Sequence, residues 1–159
     1  MSAGPTPSQT VGPFFALGLT RHAQNDLADA APSAVWIRGR VLDGQGAGVP
    51  DAMVEAWAGG RWGRSGTGED GGYSLHVAIP GAANGQAPHV PLLVFARGLL
   101  KPVLTRVYFP HLADEDAADP VLLALGNAER ARLVAAAEAD GLRFDIHLQG
   151  PEQTTFFVQ

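Results

Sequence analysis

The sequence predicts an all-β fold, mainly antiparallel, arranged as a sandwich of short strands. Two observations carry that expectation. Apolar residues alternate with polar ones over several runs of six to nine residues, the period of a strand with one buried face. Those runs are separated by glycine- and proline-rich turns, in a chain of 159 residues that holds 20 glycines and 12 prolines.

The elements follow in order. Pro5, Pro7, Gly12 and Pro13 make the first fifteen residues an extended arm. Phe14 and Phe15 come next, and two adjacent aromatics on an arm imply that it lies on something, its own domain or a neighbour. A polar connector, "RHAQNDLADAAPSA", leads to "VWIRGRVL", an Asp-Gly turn, and a second strand from Ala52 to Trp57. "GGRWGRSGTGEDGG" reads as a glycine-rich loop, without the lysine or the glycine spacing of a phosphate cradle. "YSLHVAI", "VPLLVFAR" and "VLTRVYF" are further strands, the last two joined by "GLLKP". A short helical turn is expected before Pro120. "ERARLVAAAEA" has helical composition, yet Asp140-Gly141 and the alternating "LRFDIHLQG" follow it, which fits a hairpin with Arg132 to Ala137 as one arm.

Composition narrows the function. The chain is 46% hydrophobic and 17% charged, a globular balance with enough residues for one domain and its core. Eleven basic against sixteen acidic residues give a net charge of -5 with no basic cluster, which argues against nucleic acid. Zero cysteines exclude disulfides, thiolate metal sites and cysteine nucleophiles. The first residues lack the basic and apolar regions of a signal peptide, and no apolar run is long enough to span a bilayer. A soluble, cytoplasmic protein is expected.

No residue pattern is a self-sufficient active site. His22, His76, His111 and His147 stand alone on connectors, strands or beside the acidic "HLADED". His89 opens an apolar strand, but its i+2 neighbour, on the same face, is Pro91, which cannot coordinate a metal. Tyr73 and Tyr108 sit at strand ends and read as core or edge aromatics. No nucleophile elbow is present. Arg97, within the otherwise apolar "LLVFARGLL", either snorkels at an edge or needs an anionic partner.

Four stretches together resemble the intradiol ring-cleaving dioxygenases. They are "TPSQTVGPFF" (Thr6 to Phe15), "APHVPLLVFARGLL" (Ala87 to Leu100), "TRVYF" (Thr105 to Phe109) and "LRFDIHLQGPEQTTFF" (Leu142 to Phe157). The arm and the "APH…FARG" block are specific in combination, and the resemblance covers nearly the whole chain. Between them, "GRVLDGQGAGVPDAMVEAW" is a pattern shared with other prealbumin-like β-sandwiches.

The resemblance implies a prealbumin-like mixed β-sandwich, a single domain over residues 1–159, whose first twenty residues form an arm over a partner's pocket. It implies the α-type chain of a two-chain enzyme that cleaves protocatechuate with O2. The non-haem Fe(III) would be bound by a homologous, iron-bearing β subunit, and αβ units would assemble further. In the metal-bearing chains two tyrosines and two histidines hold the iron. Here the corresponding positions carry Trp62, His89 and Pro91, and Pro80-Gly81 leads into Ala82, Ala83 and Asn84 where the other tyrosine would stand. This chain would therefore bind no metal. By the same resemblance Thr10, Gly12, Pro13 and Phe14 would line the partner's pocket and Arg97 would lie near the substrate. The stretch between Trp57 and Tyr73 is short against the family pattern. Two other readings stay open on local residues alone: a stand-alone binding module, and a metal enzyme using His89 with Tyr73 or Tyr108.

Overall fold

A computed structural model describes residues 4, 6–12, 14–20, 24–112 and 118–158. Nine strands form two sheets: β1 (Ala34–Leu42), β2 (Met53–Ala58), β3 (Arg61–Gly66), β4 (Gly72–Ala78), β5 (His89–Phe95), β6 (Val103–Tyr108), β7 (Ala136–Glu138), β8 (Gly141–Arg143) and β9 (Ile146–His147). One sheet runs β4-β1-β8-β7, with β9 also paired to β1; the other runs β3-β2-β5-β6. The pairings of β1 with β8 and β9 are parallel and the rest are antiparallel, so the sandwich is mixed. Among the described residues, three short α-helices, α1 (Phe15–Leu19), α2 (Pro120–Leu123) and α3 (Asn127–Ala131), and a 3-10 turn at Pro110–Leu112 lie outside the sheets. None of the described helices is long and apolar enough to cross a membrane.

Alternation along each strand builds the core. Ile37 and Val41 of β1, Leu75 and Val77 of β4, Val54 and Ala56 of β2, and Val90, Leu92 and Val94 of β5 are all fully buried in one cluster between the sheets. At roughly 25 cal/mol for each Å² of apolar surface removed from water, such side chains supply most of the folding drive. A second cluster joins Tyr108, Leu122, Leu133 and Ala87 on the other side of β6. Two edges are covered, that of β4 once and that of β6 at two places. Asn25 and Leu27 exchange backbone hydrogen bonds with His76 of β4, Leu133 and Ala135 with Tyr108 of β6, and Phe157 donates to Leu104.

Two sequence expectations are corrected. The "GGRWGRSGTGEDGG" stretch is not all loop, because Arg61–Gly66 pairs along its length with β2. Its glycines serve close approach: a Cβ on Gly63 would lie 2.4 Å from the Gln24 carbonyl oxygen. In "ERARLVAAAEA" the strand reading fails for the first half, where Asn127–Ala131 is helical and Glu129 accepts a hydrogen bond from the Gly126 N–H at 2.8 Å. Strand begins only at Ala136, whose hairpin closes between Glu138 and Gly141. Before Pro120 a 3-10 turn spans Pro110–Leu112, residues 113–117 lie outside the described residues, and a further helical turn starts at Pro120 itself, capped by Asp119. "LRFDIHLQG" divides into β8 and β9 around Phe144-Asp145.

Candidate functional site

Register sets which side chains share the outer face of the four-stranded sheet. Because Val90, Leu92 and Val94 face the core, His89, Pro91 and Leu93 face away from it. Cross-strand pairing then places Tyr108 opposite His89, Arg106 opposite Pro91, Glu55 opposite Leu93, Arg64 opposite Glu55, and Trp62 opposite Trp57. Trp62, His89 and Pro91, three strands apart at most, thus lie on one face. The β2–β5 ladder runs only to Ala56–Leu92 and ends one residue before Pro91, which has no N–H to extend it.

The chemistry of that face is structural. The Arg64 guanidinium lies 4.3 Å over the Trp62 ring and forms an ion pair with Glu55 at 3.0 Å, both charged side chains nearly buried. The His89 Nδ1 donates to the Ala87 carbonyl at 2.8 Å, since a carbonyl can only accept, which leaves Nε2 unprotonated in the neutral ring. Burial holds His89 below the usual imidazole pKa, ahead of the opposing pull of its carbonyl partner. Tyr108 donates to the Asp119 carboxylate at 3.2 Å, and Tyr73 donates to the Phe144 carbonyl at 2.7 Å. Burial pushes both phenols up.

A ferric ion does not fit this face. Indole and proline offer no lone pair in place of two ligands, His89 is a single donor, the Tyr108 phenol is committed to Asp119, and Tyr73 lies in the core on the other sheet, donating to Phe144. Among the described residues no three His, Asp or Glu side chains converge. His22 and most of the acidic loop near His111 lie outside the described residues.

Of the predicted substrate-lining residues, Thr10 and Arg97 come together at the far end of the same sheet. Residues 6–12 follow no regular element, and the arm is tied down where the Thr10 hydroxyl accepts a hydrogen bond from the Gly98 N–H at 2.9 Å. Gln9 and Val11 close a cavity of about 80 Å³ against Phe95, Leu99, Leu100 and Pro102. Thr10 therefore meets the Arg97-Gly98 turn directly. Gly12 is exposed, and a Cβ there would meet nothing within 4 Å. Phe14 is 77% exposed, and Pro13 lies outside the described residues.

Arg97 is neither buried nor free. Its side chain is 56% exposed and its Nε forms an ion pair with Asp51, which is only 15% exposed. The alternation that marks strands carries no sign of Asp51, which sits after Val49-Pro50 in a loop. Asp51 and Arg97 bound an open cleft of about 450 Å³ that Pro50 and Val49 also line.

No protein-family model matches the chain. Two curated relatives match it almost end to end: the protocatechuate 3,4-dioxygenase alpha chain of Burkholderia cepacia, 39% identical across 96% of each chain, and that of Pseudomonas putida, 35% identical across 96% of this chain and 95% of the other. Solved structures share the fold at lower identity. Hydroxyquinol 1,2-dioxygenase from Pseudomonas putida DLL-E4 superposes with a TM-score of 0.59 at 19% identity, over 92% of this chain and 67% of that one. The dioxygenase domain of a carbohydrate-binding fusion from Streptomyces sp. SirexAA-E does so with 0.58 at 20%, over 91% and 99%. With curated relatives this similar along nearly its whole length, the chain belongs to the protocatechuate 3,4-dioxygenase alpha chains, within the intradiol ring-cleaving dioxygenases.

Proposed function

We propose that this chain is the non-iron α subunit of a protocatechuate 3,4-dioxygenase. Its αβ complex would insert both atoms of O2 into protocatechuate and cleave between the hydroxyl-bearing carbons, giving 3-carboxy-cis,cis-muconate. The observation that carries the reading is the 39% identity to an alpha chain across 96% of the sequence. The enzyme class is iron-dependent, and in this reading the ferric ion belongs to a homologous β subunit, since the ligand positions here hold Trp62 and Pro91. The reading includes a cytoplasmic location.

The role of this chain is to wall the partner's pocket and to recognise the substrate's carboxylate. Three features support it. Gly12 has open space around it and no left-handed backbone, so nothing among the described residues demands glycine there. A close approach by a partner or a flat aromatic ring would. Phe14 exposes a large aromatic surface that its own chain leaves uncovered. Arg97 keeps its Nη atoms free of hydrogen bonds among the described residues and can present them to an anion. A stand-alone binding module leaves the first two features without a reason.

A guanidinium fixed beside the ring carboxylate contributes about 1.5–3 kcal/mol in a partly desolvated pocket. Catechol, which lacks the carboxylate, gains none of it. The experiment is O2 uptake with protocatechuate, by this chain alone and by the chain co-expressed with its β partner. Activity only in the complex, with iron tracking the partner, is the expected result. In that complex Arg97→Ala raises the KM for protocatechuate far more than that for catechol, and equal effects on both substrates would remove the counter-ion role.

A further inference from the structure

Arg97 has to keep its head in place although more than half of its side chain is open to solvent. The β2–β5 ladder supplies the means. Its last pair is Met53–Phe95, and two residues further in the same register Asp51 stands opposite Arg97. Ala52 and Ala96, the residues between, are buried, so both backbones are anchored up to the pair. On the far side of the turn, the Gly98 N–H is held by Thr10.

Both Asp51 carboxylate oxygens are shut off from solvent, and beyond the Arg97 ion pair they have no hydrogen-bond partner among the described residues. A shielded carboxylate with one cation for company does not give it up, because an unpaired buried charge is costly. It takes the Nε edge of the guanidinium. That leaves the Nη1–Nη2 edge, the geometry suited to bidentate contact with a second carboxylate.

We propose that Asp51 is a positioning residue, which holds Arg97 oriented for the carboxylate of the aromatic substrate. The proposal rests on the reading of Arg97 given above. Asp51 does not itself touch the substrate; it removes the rotamer freedom that Arg97 would otherwise lose on binding. It also couples the arm and the substrate contact, because Thr10, Gly98, Arg97 and Asp51 form one continuous chain of contacts.

The test uses the co-expressed αβ complex and steady-state O2 uptake with protocatechuate and with catechol. Asp51→Ala should raise the KM for protocatechuate about three- to tenfold, the cost of ordering one long side chain, with kcat and the KM for catechol little changed. Adding Asp51→Ala to Arg97→Ala should change nothing further, because the effect passes through the guanidinium. Asp51→Asn keeps the volume and one acceptor, and gives a smaller effect of the same sign should the alanine variant fail to assemble. An unchanged or lowered KM for protocatechuate in both Asp51 variants would overturn the proposal, as would an equal rise for catechol or the same rise in the Arg97→Ala background. Should Arg97→Ala itself fail to separate the two substrates, the counter-ion reading falls and this proposal with it. Should Arg97→Ala separate them and Asp51→Ala not, only the positioning role falls.

Discussion

Replacing Asp119 with alanine should destabilise the protein by about 3 kcal/mol. Asp119 is fully buried, yet its carboxylate is saturated. One oxygen accepts from the Val121 and Leu122 N–H groups at 2.7 and 3.2 Å, and the other accepts from the Ala87 N–H at 2.9 Å and the Tyr108 hydroxyl at 3.2 Å. Alanine removes the α2 cap, worth about 1 kcal/mol. It also strands the buried Ala87 N–H and the Tyr108 hydroxyl proton, each costing roughly 1–3 kcal/mol if unpaired. Relief from burying a carboxylate offsets part of that loss, so the lower half of the summed range is the expected value. For a chain of this size about 3 kcal/mol lowers Tm by roughly 6–12 °C, readable in a circular dichroism melt. Asp119→Asn retains the cap through one oxygen, while its NH2 cannot accept from the Ala87 N–H or the Tyr108 O–H but can donate to the Tyr108 oxygen, so it should fall in between. A melt within about 2 °C of wild type for Asp119→Ala would refute the reasoning, because it would mean that water or a rearranged Tyr108 replaces all four contacts.

Three further outcomes follow from the geometry. Gly12→Ala should leave the stability of the chain within about 0.5 kcal/mol while lowering the activity of the αβ complex, since no described residue of the chain crowds that position; melts and O2 uptake on the same preparations separate the two effects. Gly39→Ala should prevent folding, because its Cβ would sit 1.8 Å from the Phe144 carbonyl oxygen at the β1–β8 contact, and loss of soluble protein on expression would show it. Burial lowers the pKa of His89 in the folded state, so the unfolded chain binds the proton more readily; the stability this contributes is present above the unfolded value near 6.5 and is lost as pH falls through the folded value, and His89→Gln should flatten that acid limb in melts taken from pH 7 down to 5.

What a sequence shows of this fold is what alternation shows. β4 and β5 have a buried row at every second position, β1 has one over most of its length, and β2 and β6 are short apolar runs bounded by turns; each was legible. β3 was not, because Gly63 and Gly66 look like turn residues when the reason for them is contact with Gln24, Leu27 and Thr20 from a distant connector. The "ERARLVAAAEA" segment hid a change of state: local propensity governs Asn127–Ala131, a turn follows through Leu133, and a bridge from Val134 to Tyr108 of β6 then leads into β7. Thr10 was named only through resemblance, whereas Arg97 also stood out locally as a charge in an apolar run; neither reading gave their contacts. Asp51 escaped because its partner is 46 residues away and meets it only through the register of β2 on β5.

That register also explains how a sheet can lose a metal site and keep its fold. On β5 the inward Val90, Leu92 and Val94 carry the packing, while His89, Pro91 and Leu93 face outward. Period two separates the two sets completely, so substitutions on the outer face leave the core untouched. In the reading proposed here, the vacated ligand positions were refilled by groups that bind the sheet to itself: Trp62 beneath Arg64, Arg64 on Glu55, and His89 against Tyr108. Pro91 goes further by ending a ladder, which no metal-bearing His-x-His strand would require. Restoring histidine at 91 alone would therefore bring back one ligand beside an indole and a committed imidazole. Pro91→His should purify without iron, and iron bound at one equivalent per isolated chain would show that the outer face still holds a metal site.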